Sequence, residues 1–138
     1  MILKAVLIIS VSTTFAFDSQ KSTTEIFDAW KIRIDQEHPE CAKTSGVSDE
    51  ELDGLFRRQR LSSSRNFKCY LRCIHKVFNF VNDDGSLRKQ DISDGVEKVS
   101  VDVLDFCMTG VGEDMDECEK SYTLVACMLR NIFSYNLL

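Results

Sequence analysis

Six cysteines are the residues of this chain best placed to do covalent chemistry: Cys41, Cys69, Cys73, Cys107, Cys118 and Cys127. A thiol can hold a metal, attack a substrate or form a disulfide, and spacing separates these uses. Zinc sites draw on close Cys-x-x-Cys pairs or on histidines. The chain has no such pair, and His38 and His75 are its two histidines. An even cysteine count in a small domain fits a disulfide framework instead. Neither histidine sits in a catalytic motif. There is no Gly-x-Ser-x-Gly, no His-Glu-x-x-His and no phosphate loop.

A calcium site fares no better. Asn82-Asp83-Asp84-Gly85 looks like half of a calcium loop. With Gly85 at the sixth position, however, the first ligand would be Phe80, which cannot bind calcium. No calcium loop accompanies His75 that could support lipase chemistry. The sequence therefore predicts no enzyme, no metal and no cofactor.

Helical spacing dominates the elements that must position the cysteines. Ser22-Thr23-Thr24-Glu25 is a capping box, followed by the apolar stripe Ile26, Phe27, Trp30 and Ile34. His38-Pro39 should end that helix. Ser48-Asp49-Glu50-Glu51 is a second box, opening a short helix with Leu52, Leu55 and Phe56. A third helix should begin near Ser64. It turns Phe67, Tyr70, Leu71, Ile74, Val77, Phe78 and Val81 inward and stops at Asn82–Gly85. A weakly signalled helix is expected over Leu87–Ser93. Another is expected from Gly95 to Thr109, with Val99, Val103 and Phe106 on one side and Gly110 as its stop. Asp114-x-x-Glu117 should open the last, which carries Met115, Tyr122, Val125, Leu129 and Ile132. The expectation is all-α, about six helices in one domain.

The N-terminus reads as a targeting segment. Met1–Lys4 is short and positive, Ala5–Val11 is apolar, and Thr14-Phe15-Ala16 offers a cleavage site. The apolar run is shorter than the roughly 20 residues that span a bilayer. A buried N-terminal helix is the other reading. Cleavage after Ala16 would leave residues 17–138 as a secreted, soluble domain without membrane insertion. Losing Lys4 makes that domain one unit more negative than the −5 of the whole sequence. An acidic surface argues against nucleic acid or anionic membrane as partner.

Helical placement limits the disulfides. Cys69 and Cys73 share one helix face, but their side chains diverge too far to pair. Cys118 and Cys127 would lie roughly 13 Å apart on opposite faces of the last helix. Each must reach another element, and several pairings remain. Charge gives a hint. Arg57, Arg58, Arg60, Arg65, Lys68, Arg72 and Lys76 make the region around Cys69 basic, whereas Glu113, Asp114, Asp116, Glu117 and Glu119 make that around Cys118 acidic. Two solvated charged faces would read the same.

The pattern Cys41-x27-Cys69-x3-Cys73-x33-Cys107-x10-Cys118-x8-Cys127 resembles the six-cysteine signature of the insect odorant-binding proteins, also called the pheromone-binding protein family. The x3 and x8 gaps are its most specific elements. The resemblance implies three interlocked disulfides, Cys41–Cys73, Cys69–Cys118 and Cys107–Cys127. It also implies six helices around an internal apolar cavity. Members carry odorants, pheromones or other hydrophobic ligands through sensory lymph to membrane odorant receptors, and some work in other tissues.

Apolar residues for such a cavity are plentiful. The candidates are Phe27, Trp30, Ile34, Leu52, Phe56, Tyr70, Ile74, Phe78, Val103, Phe106, Met108, Tyr122, Val125, Leu129, Phe133 and Tyr135. Plain core packing is the competing use of each. A hydroxyl of Tyr122 or Tyr135 could orient a polar head group. The apolar tail Ile132–Leu138 should fold back on the shell as a cavity wall, or else pack outside the last helix or form a dimer contact. A monomer or weak homodimer is expected. The competing functions are a disulfide-rich inhibitor or signalling protein acting through its surface.

Overall fold

A computed structural model describes residues 21–133. The leader, its cleavage site and Tyr135 lie outside the described residues. Seven α-helices follow in order: α1 Thr23–Glu37, α2 Glu40–Ser45, α3 Asp49–Arg58, α4 Arg65–Val77, α5 Lys89–Gly95, α6 Val101–Met108 and α7 Glu117–Ile132. Strand pairing is limited, among the described residues, to one antiparallel bridge between Val81 and Leu87. No helix among them is long and apolar enough to cross a membrane.

Both capping boxes form. Ser22 Oγ accepts the Glu25 N–H while Glu25 accepts the Ser22 N–H, and Ser48 and Glu51 do the same. Glu51 reaches further. Its Oε1 also accepts the Ser62 hydroxyl at 2.6 Å and the Ser64 hydroxyl. Ser64 in turn caps α4 by accepting the Phe67 N–H at 3.1 Å. One carboxylate thus joins the start of α3 to the start of α4. Its pKa is lowered to about 2, first by the Ser48 N–H and then by the two hydroxyls.

The seventh helix is α2. Pro39 ends α1 as expected, but it also starts the next helix, with φ −64° and ψ −19°. A proline costs nothing there, because its missing N–H would find no partner in a first turn. The helix expected over Gly95–Thr109 is shorter, and the one expected over Leu87–Ser93 is α5. Gly95 closes α5, and α6 begins only after Ser100, whose side chain caps Val103. Between them Lys98 takes φ +66°, which ends helical propagation. Val81 leaves the inward face of α4, since α4 stops at Val77 and Val81 pairs with Leu87. The last helix opens at Asp116, not Asp114: Asp116 Oδ1 accepts the N–H groups of Cys118 and Glu119. Met115 therefore precedes it and is exposed.

All three disulfides form as the resemblance implied. Cys41–Cys73, Cys69–Cys118 and Cys107–Cys127 join α2 to α4, α4 to α7, and α6 to α7, with Cα atoms 5.5, 4.6 and 5.6 Å apart. The charge hint holds as well. Beside Cys69–Cys118, Arg65 meets Asp116 at 2.7 Å, Lys68 meets Glu119 at 2.7 Å, and Arg72 meets Glu117. At Gly85, with φ +86°, a Cβ would stand 2.8 Å from Glu117 Oε1. Glycine there lets the Asn82–Ser86 turn lie against that charged layer.

Candidate functional site

The interior divides into two apolar clusters. The first gathers Phe27, Ile34, Leu52, Phe56, Phe67, Tyr70, Leu71, Ile74 and Leu129 from α1, α3, α4 and α7. The second gathers Phe80, Ile92, Val99, Leu104, Cys107 and Leu124 around α5 and α6. Trp30 and Phe78 pack against both. Their rings meet edge to face at 5.2 Å, and Phe80 lies 6.4 Å from Trp30 and 6.0 Å from Phe78. Such aromatic contacts hold geometry as well as area.

Further apolar residues packed against these cores are only partly buried. Tyr122, Val125 and Phe133 border the first cluster; Val103, Met108, Cys127, Met128 and Ile132 border the second. Phe133 meets Phe27 edge-on at 5.5 Å, and the Lys98 ammonium stands 5.9 Å from its ring. Phe133 is the C-cap of α7, its N–H donating to the Leu129 carbonyl, and the tail after it, expected to fold back, lies outside the described residues.

Phe106, expected in the cavity, is 62% exposed. The disulfide explains the difference. Cys107 must face α7 to reach Cys127, and Leu104, one turn earlier, is fully buried on the same face. Phe106, about 100° round the helix from Cys107, is turned to solvent. The sequence reading also missed Phe80, which follows α4 and belongs to no helical stripe.

Two polar features flank the seam between the two clusters. His75 is buried on α4 with its Nδ1 3.1 Å from Ser121 Oγ on α7. Burial, aided by the Arg72 cation, pushes its pKa down to about 4, so the ring is neutral at pH 7. The pair borders a recess of about 30 Å³, lined also by Met108, Val111 and Leu124. On the other side, Arg33, Phe78, Asn79, Phe80, Arg88, Asp91 and Gly95 line an open cleft of about 340 Å³. The Arg33 guanidinium lies over Phe78 at 4.5 Å and over Trp30 at 5.2 Å. His38 meets Phe78 edge-on at 5.0 Å and places Nδ1 3.0 Å from Glu40.

This arrangement offers surfaces rather than a nucleophile. A sequence model of the PBP/GOBP family matches residues 25–131. The chain belongs to the PBP/GOBP family. The match runs from the first turn of α1 nearly to the end of α7 and contains all six cysteines. A search of curated proteins yields no significant match. PBP/GOBP proteins are binding proteins for small hydrophobic ligands, not enzymes.

Proposed function

We propose that the protein is a secreted carrier that takes a small hydrophobic molecule into the seam between its two clusters and moves it through aqueous lymph toward membrane receptors. One observation carries this reading. Trp30 and Phe78 pack against both cores, Tyr122, Val125 and Phe133 against the first and Met128 against the second, and all six stay partly exposed. Apolar surface left this way gains by covering a ligand. The expected leader before Phe17 supports secretion. No reactive group is required.

The energy is sufficient. Burying about twelve methylenes at ~0.8 kcal/mol each gives roughly 10 kcal/mol before costs. Immobilising the ligand removes part of this. Micromolar affinity needs about 8 kcal/mol. The test is displacement of a neutral fluorescent apolar dye by long-chain alcohols, esters and acids. Micromolar dye binding with displacement is the expected result. A dye that gains no fluorescence, or that none of these compounds displaces, refutes the carrier. Deleting Tyr135–Leu138 then tests the tail: a cavity wall predicts weaker dye binding with helicity and disulfides intact.

A further inference from the structure

The cleft between α1 and the start of α5 differs in chemistry from the apolar seam. We propose that it is a second binding site, for small aromatic or branched carboxylates, with the anion on Arg33 and Arg88 and the apolar part laid on Phe78 and Phe80. This goes beyond apolar carriage and does not depend on it.

Size comes first. At about 340 Å³ the cleft is near the lower end of ligand pockets, which suits a compact molecule rather than a long chain. Charge comes second. Its lining holds two guanidiniums, Arg33 and Arg88, against one carboxylate, Asp91. Each guanidinium already has a carboxylate partner, Arg33 in Glu37 and Arg88 in Asp91, so what the cleft offers an anion is charge-assisted hydrogen bonding rather than a net positive charge.

Donor geometry comes third. Arg33 is paired through Nε with Glu37 at 3.3 Å, and Arg88 through Nε with Asp91 at 2.6 Å. That engages one of the five donors of each guanidinium. The Nη fork, which matches a carboxylate bidentately, is left to a ligand. Arg33 is also held in place by lying on Phe78 and Trp30, so less side-chain freedom is lost on binding.

The floor is fixed by backbone bonds. Phe80 N–H donates to the His75 carbonyl at 2.8 Å, and Arg88 N–H donates to the Phe80 carbonyl at 2.9 Å. These bonds hold Phe78, Phe80 and Arg88 in register after α4 ends. Asn79, with φ +57°, adds an amide to the lining.

The experiment titrates the purified chain with 3-phenylpropanoate and with its neutral analogue 3-phenylpropan-1-ol. It follows amide and arginine Nε–H signals by NMR. The acid should bind roughly tenfold or more tightly than the alcohol, as charge-assisted hydrogen bonds to a guanidinium require. Its shifts should centre on Arg33, Asn79, Arg88 and Gly95. Arg33→Gln and Arg88→Gln should each lower acid affinity severalfold while leaving alcohol affinity unchanged. Equal binding of acid and alcohol would overturn the proposal, as would acid affinity that survives both substitutions together. Competitive displacement of the neutral dye by the acid would place the acid in the seam and overturn it too. A dye that fails to bind bears on the carrier reading alone, because the acid titration does not use it.

Discussion

The half of the molecule built on α2, α3, α4 and α7 and the half built on α5 and α6 solve the same problem differently. Each contains helices too short to persist alone, since isolated helices under about 12–15 residues are marginal in water. In the first half, α2 is only six residues long, and Cys41–Cys73 ties it to α4. Cys69–Cys118 and three ion pairs bind α4 to α7, and Glu51 links α3 to the cap of α4. The second half has helices of seven and eight residues and a single disulfide, Cys107–Cys127. Left-handed residues interrupt the linkers of both halves, Gly46 and Gln59 in the first and Asn79 and Lys98 in the second, so the difference lies in the cross-links. A disulfide contributes ~2–4 kcal/mol, so the first half is the firm wall and the second the yielding one. The seam and the cleft lie where they meet.

Core truncation gives the largest test of this contrast. Phe67 and Leu104 are both fully buried, one in each half. Phe67→Ala should cost about 3–5 kcal/mol and lower the urea midpoint for the whole domain. Leu104→Ala should cost about 2–4 kcal/mol, with amide exchange rising in residues 89–108 while α4 stays protected. Equal loss of protection in both halves under Leu104→Ala would remove the distinction.

Acid should find the junction of α4 and α7. The His75 pKa is about 4 in the fold against 6.5 free. The unfolded chain therefore takes up a proton first as pH falls. Stability from this residue is complete above about pH 6.5 and is lost toward pH 4, by about 3 kcal/mol at ~1.4 kcal/mol per unit. His75→Gln, compared with the parent by urea unfolding at pH 7 and pH 4.5, should flatten that loss. An unchanged slope would mean that His75 is not the sensor.

Glu51→Ala should cost about 1–2 kcal/mol at pH 7, through the two helix starts it joins. Its carboxylate has a depressed pKa, so its contribution is full above pH 4.5 and fades as pH falls through about 2. The gap between variant and parent should narrow accordingly in acid unfolding curves. At the small end, Phe106→Ser should shift the thermal midpoint by less than 0.5 kcal/mol equivalent and leave dye binding unchanged. A loss of dye affinity there would return Phe106 to the site.

What the sequence made legible was local or periodic. The boxes at Ser22 and Ser48 each need only four residues, so their pattern suffices. The cysteine spacing carried the framework, and clustered charge pointed to Cys69–Cys118. What stayed hidden depended on partners far along the chain. The Asp114-x-x-Glu117 pattern points to Asp114, whereas Asp116 caps α7 and is also paired with Arg65. The inward face of α6 depends on Cys127, twenty residues on. His75 gave no sign of Ser121, forty-six residues away. The cleft was invisible because Arg33 and Arg88, far apart in the chain, share its lining only in the folded protein.

The placement of Trp30 has an optical consequence. It is the single tryptophan of the chain, and it stands against both clusters with a guanidinium 5.2 Å above its ring. Indole emission responds to nearby charge and water. One chromophore at the joint therefore records the joint alone, without signal from other sites. A ligand that wedges the halves apart and one that settles on Arg33 should shift that emission in different ways, so intrinsic fluorescence of the unlabelled chain distinguishes filling the seam from filling the cleft.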